Sequence, residues 1–260
     1  MHVTQHETAS NDQEAGQSSP FQAVLQFRTG DRSQNASAWR HTFTAGGVLN
    51  EDEIKDLAIF SGETALSIIA LNPRAGPVIC ARMTALAKAV AAQVGKPVVQ
   101  ELMEKRFFVR EDGNIWDYLI PRWCVAKKEP GWSEMKTEVL SPAARRKLKT
   151  QAERSIADQA AAWGVVLPSP PCIGILEVGK PMPIAAISGA RSGHGKPAHV
   201  LARVQVRVIC NLRLNGDWFV GPMASLGFGR MIRDGAAAHN STTDKLPAEC
   251  ALEFLEVSDE

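Results

Sequence analysis

A glycine-punctuated segment near the end of the chain, GPMASLGFGR at residues 221–230, has the residue types of an anion-binding loop. Gly221, Gly227 and Gly229 surround a polar bend, and Arg230 and Arg233 lie at its end. Glycine can adopt positive φ and lets a second backbone approach closely, and backbone amides exposed in such a bend form a concavity that binds anions. We therefore predict a loop that contacts phosphate groups and lies peripheral to the sheets of the fold.

The residues before this segment predict a long β-strand with one apolar face and one basic face. Over residues 199–211, valine and alanine occupy alternate positions, whereas Arg203 and Arg207 point to the opposite side. A basic sheet face beside an amide-lined loop suits the phosphodiester backbone of a nucleic acid.

The net charge of +1 conceals a separation of charge along the chain. Residues 180–233 contain eight Lys and Arg but a single acid, Asp217, whereas residues 234–260 contain seven acids and a single base, Lys245. The chain can therefore present a basic surface with an acidic tail beside it. The alternative is that the tail only solvates the C-terminus.

The pattern G-x(5)-G-F-G-R after a long strand resembles the C-terminal glycine-rich signature of the RAMP superfamily, the repeat-associated proteins of CRISPR systems. The LGFGR ending, the chain length and a two-part layout are most similar to the CRISPR repeat-processing endoribonucleases, with the type IV branch among the candidates. The close match covers about residues 199–233, and the rest of the chain fits through the order of its elements. The structural alternative is a glycine-rich turn that binds nothing.

The resemblance implies a metal-independent endoribonuclease, without a cofactor, that binds a CRISPR repeat stem-loop and cleaves precursor crRNA. The 2′-hydroxyl would attack the scissile phosphate and leave a 2′,3′-cyclic phosphate and a 5′-hydroxyl. The implied partners are the repeat RNA and other subunits of a guide-RNA effector complex. The alternative is a non-catalytic RAMP subunit that binds or caps crRNA. A third reading, a small-molecule enzyme, is disfavoured because the sequence has no cofactor motif.

Candidate catalytic residues also follow from the resemblance. These endoribonucleases often carry a catalytic histidine after the first strand, where this chain has His41, with Arg40 beside it as a clamp for the scissile phosphate. His194 is the next candidate. Because Tyr118 is the only tyrosine, no tyrosine–histidine pair can be recognised in the sequence. Catalysis could instead use arginines, of which the candidates are Arg28, Arg40, Arg191 and Arg230.

Two further basic segments are candidate RNA contacts. A helix is predicted over residues 141–163, because Ser141 and Pro142 can start it and Leu148, Ala152, Ile156 and Ala160 form an apolar stripe. This helix carries four cations within five positions, and residues 189–196 are predicted to form a basic loop. Either segment could equally be a solvated surface. The cations concerned are Arg145, Arg146, Lys147 and Lys149 on the helix, and Arg191, His194 and Lys196 in the loop.

The order of the predicted elements favours an α+β protein of two ferredoxin-like (RRM-like) domains. Residues 1–20 are predicted to be a disordered tail, and the two domains span residues 21–112 and 113–260. The first contains strands at 21–27, 65–70 and near 97–101, and helices at 51–60 and 77–94. Residues 29–47 are predicted to be a polar connection, and Asn50 and Glu53 form a capping box that opens the helix at 51–60. The second begins with a hairpin of strands 106–110 and 115–125 around Asp112-Gly113 and continues through helix 141–163 to strands near 173–178, 184–187 and 199–211.

The cysteines and histidines indicate neither a disulfide framework nor a metal site. The five cysteines are widely spaced without a CxxC pair, and none of the six histidines has a convincing metal-ligand spacing. The N-terminal residues are polar and lack the apolar core of a signal peptide. We predict that no stretch has the apolar length of a membrane span and that the protein is cytoplasmic.

Overall fold

The computed structural model describes residues 19–30, 36–62, 64–125, 137, 139–185 and 199–234. Over these residues the protein is a mixed α+β fold in which neighbouring strands pair antiparallel. The prediction of an α+β fold is confirmed at this level.

The first half of the chain forms a four-stranded sheet with the strand order β2-β3-β1-β4. Because β1 and β2 are not neighbours, the chain must cross over the sheet, and helices supply both crossover connections. The elements are β1 (Phe21–Arg28), α1 (Ala36–Ala45), α2 (Glu51–Lys55), β2 (Leu57–Ser61), β3 (Ala65–Ala70), α3 (Ala75–Val94) and β4 (Val99–Arg106).

Both faces of the central strand β1 are covered. Leu25 and Phe27 belong to the main core together with apolar residues of the helices. Val24, which points to the opposite face, packs with Ile69 and with Phe219 from the second half of the chain. The two halves therefore share buried surface across the first sheet.

Helix α3 packs on the first sheet and contacts β1 and β3. Among the described residues it is the one helix with the length and apolar character to span a membrane, so the prediction that no stretch has this property is wrong. Ala75, Ile79, Leu86 and Val90 form its buried stripe. This spacing is typical of a core helix that covers one face of a sheet.

The second half forms a larger sheet with the order β11-β12-β6-β9-β7, and β8 also pairs with β9. Helix α4 begins after Ser141, whose hydroxyl accepts a hydrogen bond from the Ala144 amide, and ends at Gly164 in the left-handed conformation. The elements are β5 (Phe108–Arg110), β6 (Trp116–Val125), α4 (Pro142–Trp163), β7 (Ile173–Glu177), β8 (Pro181–Ala185), β9 (His199–Cys210), β10 (Arg213–Asn215), β11 (Trp218–Phe219), a 3-10 turn (Ala224–Leu226) and β12 (Arg230–Arg233).

The predicted hairpin around Asp112-Gly113 is wrong. Strand β5 pairs with β10, whereas β6 pairs with β9 on one side and β12 on the other. With both of its edges occupied, β6 has no edge left for β5. Phe107, just before β5, is buried and stacks on Trp163 and Trp218 at centroid distances of 4.7 and 4.3 Å.

Two local predictions in the first half also need correction. Residues 36–45, predicted as a polar connection, form α1 because Trp39 and Phe43 are one turn apart and both are buried. The helix predicted at 51–60 ends at Lys55, and the following residues pair with β3 as β2. The capping box that starts α2 at Asn50 and Glu53 is present as predicted.

Candidate nucleic-acid interface

An open cleft of about 720 Å³ lies between helix α4 and the start of the glycine-rich segment 221–230. The cleft thus joins the basic helix and the glycine-rich segment, which the sequence predicts separately as RNA contacts. The residues around it combine cations and hydroxyl groups with the backbone of the loop, and such groups are those that bind phosphodiesters. They are Ala143, Arg146, Lys147, Thr150, Gln151, Arg154, Ser155, Asp158, Gly221 and Pro222.

The four cations predicted on this helix divide between two of its sides. Arg146 and Lys147 are exposed in the cleft. Arg145 instead donates to the Ile175 carbonyl of β7 at 3.4 Å, and Lys149 lies 3.5 Å from the Glu153 carboxylate. The cleft is thus lined by half of the predicted group.

Arg154, outside the predicted set of contacts, also lines the cleft. It follows Arg146 by eight residues, with Thr150 between them at the i+4 position, so that the three side chains share one face of the helix. Its guanidinium lies 3.7 Å from Asp158, one turn further on. The i+4 spacing in the sequence is the signal that could have identified this residue.

The glycine-rich segment is attached to α4 by hydrogen bonds. The Gly221 amide donates to the Ser155 hydroxyl at 3.0 Å. Next to it, Trp123 of β6 donates from Nε1 to Gln151 Oε1 of α4 at 3.1 Å. A Cβ on Gly221 would lie 2.6 Å from Trp123 Nε1. The loop backbone can therefore approach the wall of the cleft because this position has no side chain.

The prediction that the loop is peripheral to the sheets is wrong. Gly227 adopts φ +76°, and a Cβ there would lie 2.5 Å from the Ile59 carbonyl oxygen of β2. The 3-10 turn just before it contacts both β2 and α1. The loop therefore packs between the two halves of the protein. Gly227 has a structural role, whatever the loop binds.

Arg40 and His41 lie on α1, the helix that contacts this 3-10 turn. His41 is exposed and Arg40 is partly buried, while Trp39 and Phe43 turn into the core. The candidate acid–base group thus lies on a helix that neighbours the glycine-rich loop. His194, Arg191 and Lys196 lie outside the described residues.

The basic face predicted for β9 is not exposed as expected. The Arg203 side chain is fully buried and donates to the carbonyl groups of Gly179 and Thr137, and burial lowers the pKa of its guanidinium. The prediction that Arg203 lies on an accessible face is therefore wrong. Arg207 is partly exposed and lies 2.9 Å from the Asp234 carboxylate.

Arg230 is held inside the protein. Its Nε donates to the buried Asp217 carboxylate at 2.8 Å, and its guanidinium lies over the Phe60 ring at 5.1 Å. Arg28 and Arg233, by contrast, are exposed at the ends of β1 and β12. Of the arginines proposed for RNA contact, these two and Arg146 are exposed in the described structure, and Arg145 and Arg207 are partly exposed.

Asp217 is the centre of a polar network between the two halves. Its carboxylate also accepts from Lys105 Nζ at 2.8 Å. Its backbone amide donates to Gln22 Oε1 at 2.7 Å, and its carbonyl accepts from Gln159 Nε2 at 3.3 Å. The network connects β1 and β4 of the first half with α4.

Tyr118, the only tyrosine, is buried. Its hydroxyl donates to the Leu212 carbonyl at 3.2 Å and accepts from the Leu214 amide at 2.8 Å. Burial raises the pKa of this phenol above its ordinary value. The side chain is engaged in holding the turn before β10.

The fold is similar to those of several solved structures. A structure described as Csf5, CRISPR-Cas type IV Cas6 crRNA endonuclease, has a TM-score of 0.63 and 16% identity over 83% of this chain and 100% of that one. A structure of Cas6b has a TM-score of 0.56 and 13% identity. A CRISPR RNA processing endoribonuclease Cas6b has a TM-score of 0.55 and 12% identity. Both comparisons cover 83% of this chain and 100% of the other.

No family model and no curated protein matches the chain. At these identities, the structural likeness establishes the fold. The resemblance to CRISPR repeat-processing endoribonucleases, the type IV branch included, is confirmed at that level.

Proposed function

We propose that this chain is an endoribonuclease that binds the stem-loop of a CRISPR repeat and cleaves the precursor transcript to guide RNA. The observation that carries the proposal is the cleft between α4 and Gly221, because it gathers the cations Arg146, Lys147 and Arg154 beside a loop backbone. Phosphate groups are bound by such cations and by backbone amides. The likeness of the fold to crRNA endonucleases supports the choice of RNA.

We also propose that residues 21–112 and 113–260 are two ferredoxin-like domains, with residues 221–230 as the glycine-rich loop of the RAMP superfamily. The first half supports this proposal through its strand order β2-β3-β1-β4 and its two helical crossovers. The second half supports it less completely, through α4 and an antiparallel sheet centred on β6 and β9.

In the proposed reaction, the 2′-hydroxyl oxygen bonds to phosphorus and the bond from phosphorus to the 5′-oxygen breaks. A base takes the proton of the 2′-hydroxyl, and an acid gives a proton to the leaving oxygen. The products are a 2′,3′-cyclic phosphate and a 5′-hydroxyl, and no metal ion takes part. His41 would transfer a proton, and Arg40 would stabilise charge on the phosphorane.

The second candidate is a non-catalytic subunit that binds or caps crRNA in a ribonucleoprotein complex. It is favoured by the internal hydrogen bonds of Tyr118, because both the donor and the acceptor capacity of this phenol are used by the backbone of Leu212 and Leu214. An enzyme of the first kind could also keep its product and join other effector subunits. Both candidates would act in the cytoplasm, where repeat transcripts are available.

The purified full chain should be incubated with repeat RNA in EDTA. The proposal predicts one cut, an upstream product with a cyclic phosphate, and a downstream product with a 5′-hydroxyl. The matched control is the same RNA with a single 2′-deoxy sugar upstream of the cut, which should remain intact. If RNA binds but is not cut, the chain is the non-catalytic subunit.

A further inference from the structure

We infer a second phosphate-binding site, separate from the α4 cleft, in a small pocket where β4, β6, β10 and β12 meet. The pocket has a volume of about 230 Å³ and shares no lining residue with the cleft. It is formed by Lys105, Tyr118, Leu214, Asn215, Gly216, Trp218, Met231 and Arg233.

Two buried hydrogen-bond donors of β10 lack an acceptor among the described residues. They are Nδ2 of Asn215, which lines the pocket, and Nε of Arg213. The two residues are separated by one position, so their side chains share one face of the strand. Buried donors without an acceptor are rare in native proteins, because the hydrogen bond to water is lost without replacement. An oxyanion in the pocket, which Asn215 lines and Arg213 does not, would supply the acceptor that the Asn215 amide lacks.

The cations around the pocket lie close to one another. The guanidinium groups of Arg213 and Arg233 lie over the same ring, that of Trp116, at 5.0 and 5.7 Å from its centroid. Arg213 is also the cross-strand partner of Arg110. Like charges at such positions repel each other, and a bound anion would relieve the repulsion.

The carboxylates nearby leave an excess of positive charge. Asp217 accepts from Lys105 at 2.8 Å and also binds Arg230, so one acid serves two cations. Asp117 lies on β6, and Asp234 comes directly after β12. Both carboxylates face Arg207. Two cations, Lys105 and Arg233, line the pocket itself. Arg213 lies beside Arg233 on the Trp116 ring, whose Nε1 donates to the Asp112 carboxylate at 3.0 Å, so that Asp112 and Asp217 are the acids next to these three cations.

The pocket is held in shape by Tyr118. Its hydroxyl bonds to the backbone on both sides of Arg213, at Leu212 and Leu214. Because burial raises the pKa of this phenol, it remains neutral and does not repel an anion. The donors are thus fixed by the fold before a ligand binds.

A phosphate group suits this arrangement, because its oxygens accept several hydrogen bonds and its charge balances the cations. The phosphate could belong to an internal phosphodiester of RNA or to a terminal or free phosphate. The inference rests on the proposed function only for the RNA source, since binding of inorganic phosphate requires no RNA.

The decisive variant is Asn215→Asp, which replaces the orphan amide by a carboxylate of the same shape. Calorimetric titration of the full chain with inorganic phosphate should show binding, and this variant should weaken it by at least about tenfold, or 1.4 kcal/mol. Its thermal unfolding temperature should be unchanged or higher, because the new carboxylate faces the same cations. The matched control is Gln93→Glu on the exposed side of α3, which makes the same charge change and should bind phosphate normally.

Two RNA tetranucleotides identify the source of the phosphate. One has hydroxyl groups at both ends, and the other carries a terminal phosphate. If both tetranucleotides compete with inorganic phosphate, the site binds an internal phosphodiester. If only the tetranucleotide with the terminal phosphate competes, the site binds a terminal phosphate. The inference is overturned if phosphate does not bind the wild type, or binds Asn215→Asp with unchanged affinity. Failure to cleave repeat RNA would overturn only the enzyme proposal, because this titration does not depend on cleavage.

Discussion

The two sides of helix α4 allow a test in which charge is held constant and only position changes. In one double variant, Arg146 and Lys147 in the cleft become glutamine. In the other, Arg145 and Lys149, which face β7 and Glu153, become glutamine. Both variants remove two positive charges from the same five-residue stretch. If the cleft binds RNA, only the first should lose affinity appreciably.

The expected loss follows from counterion release. Each phosphate contact contributes a slope of about −0.7 for single-stranded RNA, or about −0.9 for a duplex, to log K against log salt. Loss of two contacts therefore weakens binding about 14- to 30-fold at about 0.15 M salt. The variant is also less sensitive to salt. Between about 0.05 and 0.2 M salt, its fold-loss of affinity is about 7 to 12 times smaller than that of the wild type. The β7-side variant should retain nearly the wild-type slope.

The assay is fluorescence anisotropy with labelled repeat RNA at four or more salt concentrations. Circular dichroism should show that both variants are folded. This control matters most for the second variant, because Arg145 and Lys149 are partly buried whereas Arg146 and Lys147 are exposed. Equal losses in both variants would mean that the helix acts through its total charge. If the cleft variant keeps the wild-type RNA affinity, this face of α4 is a solvated surface that does not bind RNA.

Three further predictions concern the loop, the acid–base group and the network between the halves. His41→Ala should slow cleavage by about 10²- to 10⁴-fold in single-turnover assays, with RNA affinity unchanged. A larger effect of Arg40→Ala would favour the arginine mechanism, and an unchanged cleavage rate in His41→Ala would exclude this histidine as the acid or base. Gly227→Ala should lower the unfolding free energy by at least about 1–2 kcal/mol from its positive φ alone, with a further loss from the clash with Ile59, and an unchanged urea midpoint would contradict this. Asp217→Asn should cost about 3 kcal/mol in urea unfolding, because it leaves two cations without their buried carboxylate; a wild-type midpoint would show that the ion pairs contribute nothing.

Features that depend on neighbours along the chain could be predicted from the sequence. Helix α4 was predicted because Ser141 provides a cap and Leu148, Ala152 and Ile156 recur at i+4. The capping box at Asn50 was recognisable for the same reason. In each case the stabilising contacts join residues within about one helical turn, so the pattern in the sequence contains both partners.

The availability of each cation was decided by the tertiary structure. Arg203 and Arg207 occupy equivalent positions in an alternating strand, yet Arg203 is buried beneath carbonyl groups of Gly179 and Thr137, while Arg207 lies at the surface beside Asp234. The acceptors come from segments up to 66 residues away in the chain. Alternation predicts the side of a strand and carries no information about what covers it.

The same limit applies to the pairing of strands and to the cleft itself. The Asp112-Gly113 turn favours a hairpin locally, but β6 has its two edges filled by β9 and β12, which are distant in sequence. Likewise, Gly221 and Ser155 are 66 residues apart in the chain, so that only the tertiary structure brings the loop onto α4. Local sequence patterns predict helices, strands and candidate cations. Long-range packing determines which strand edges are paired and which side chains share a site.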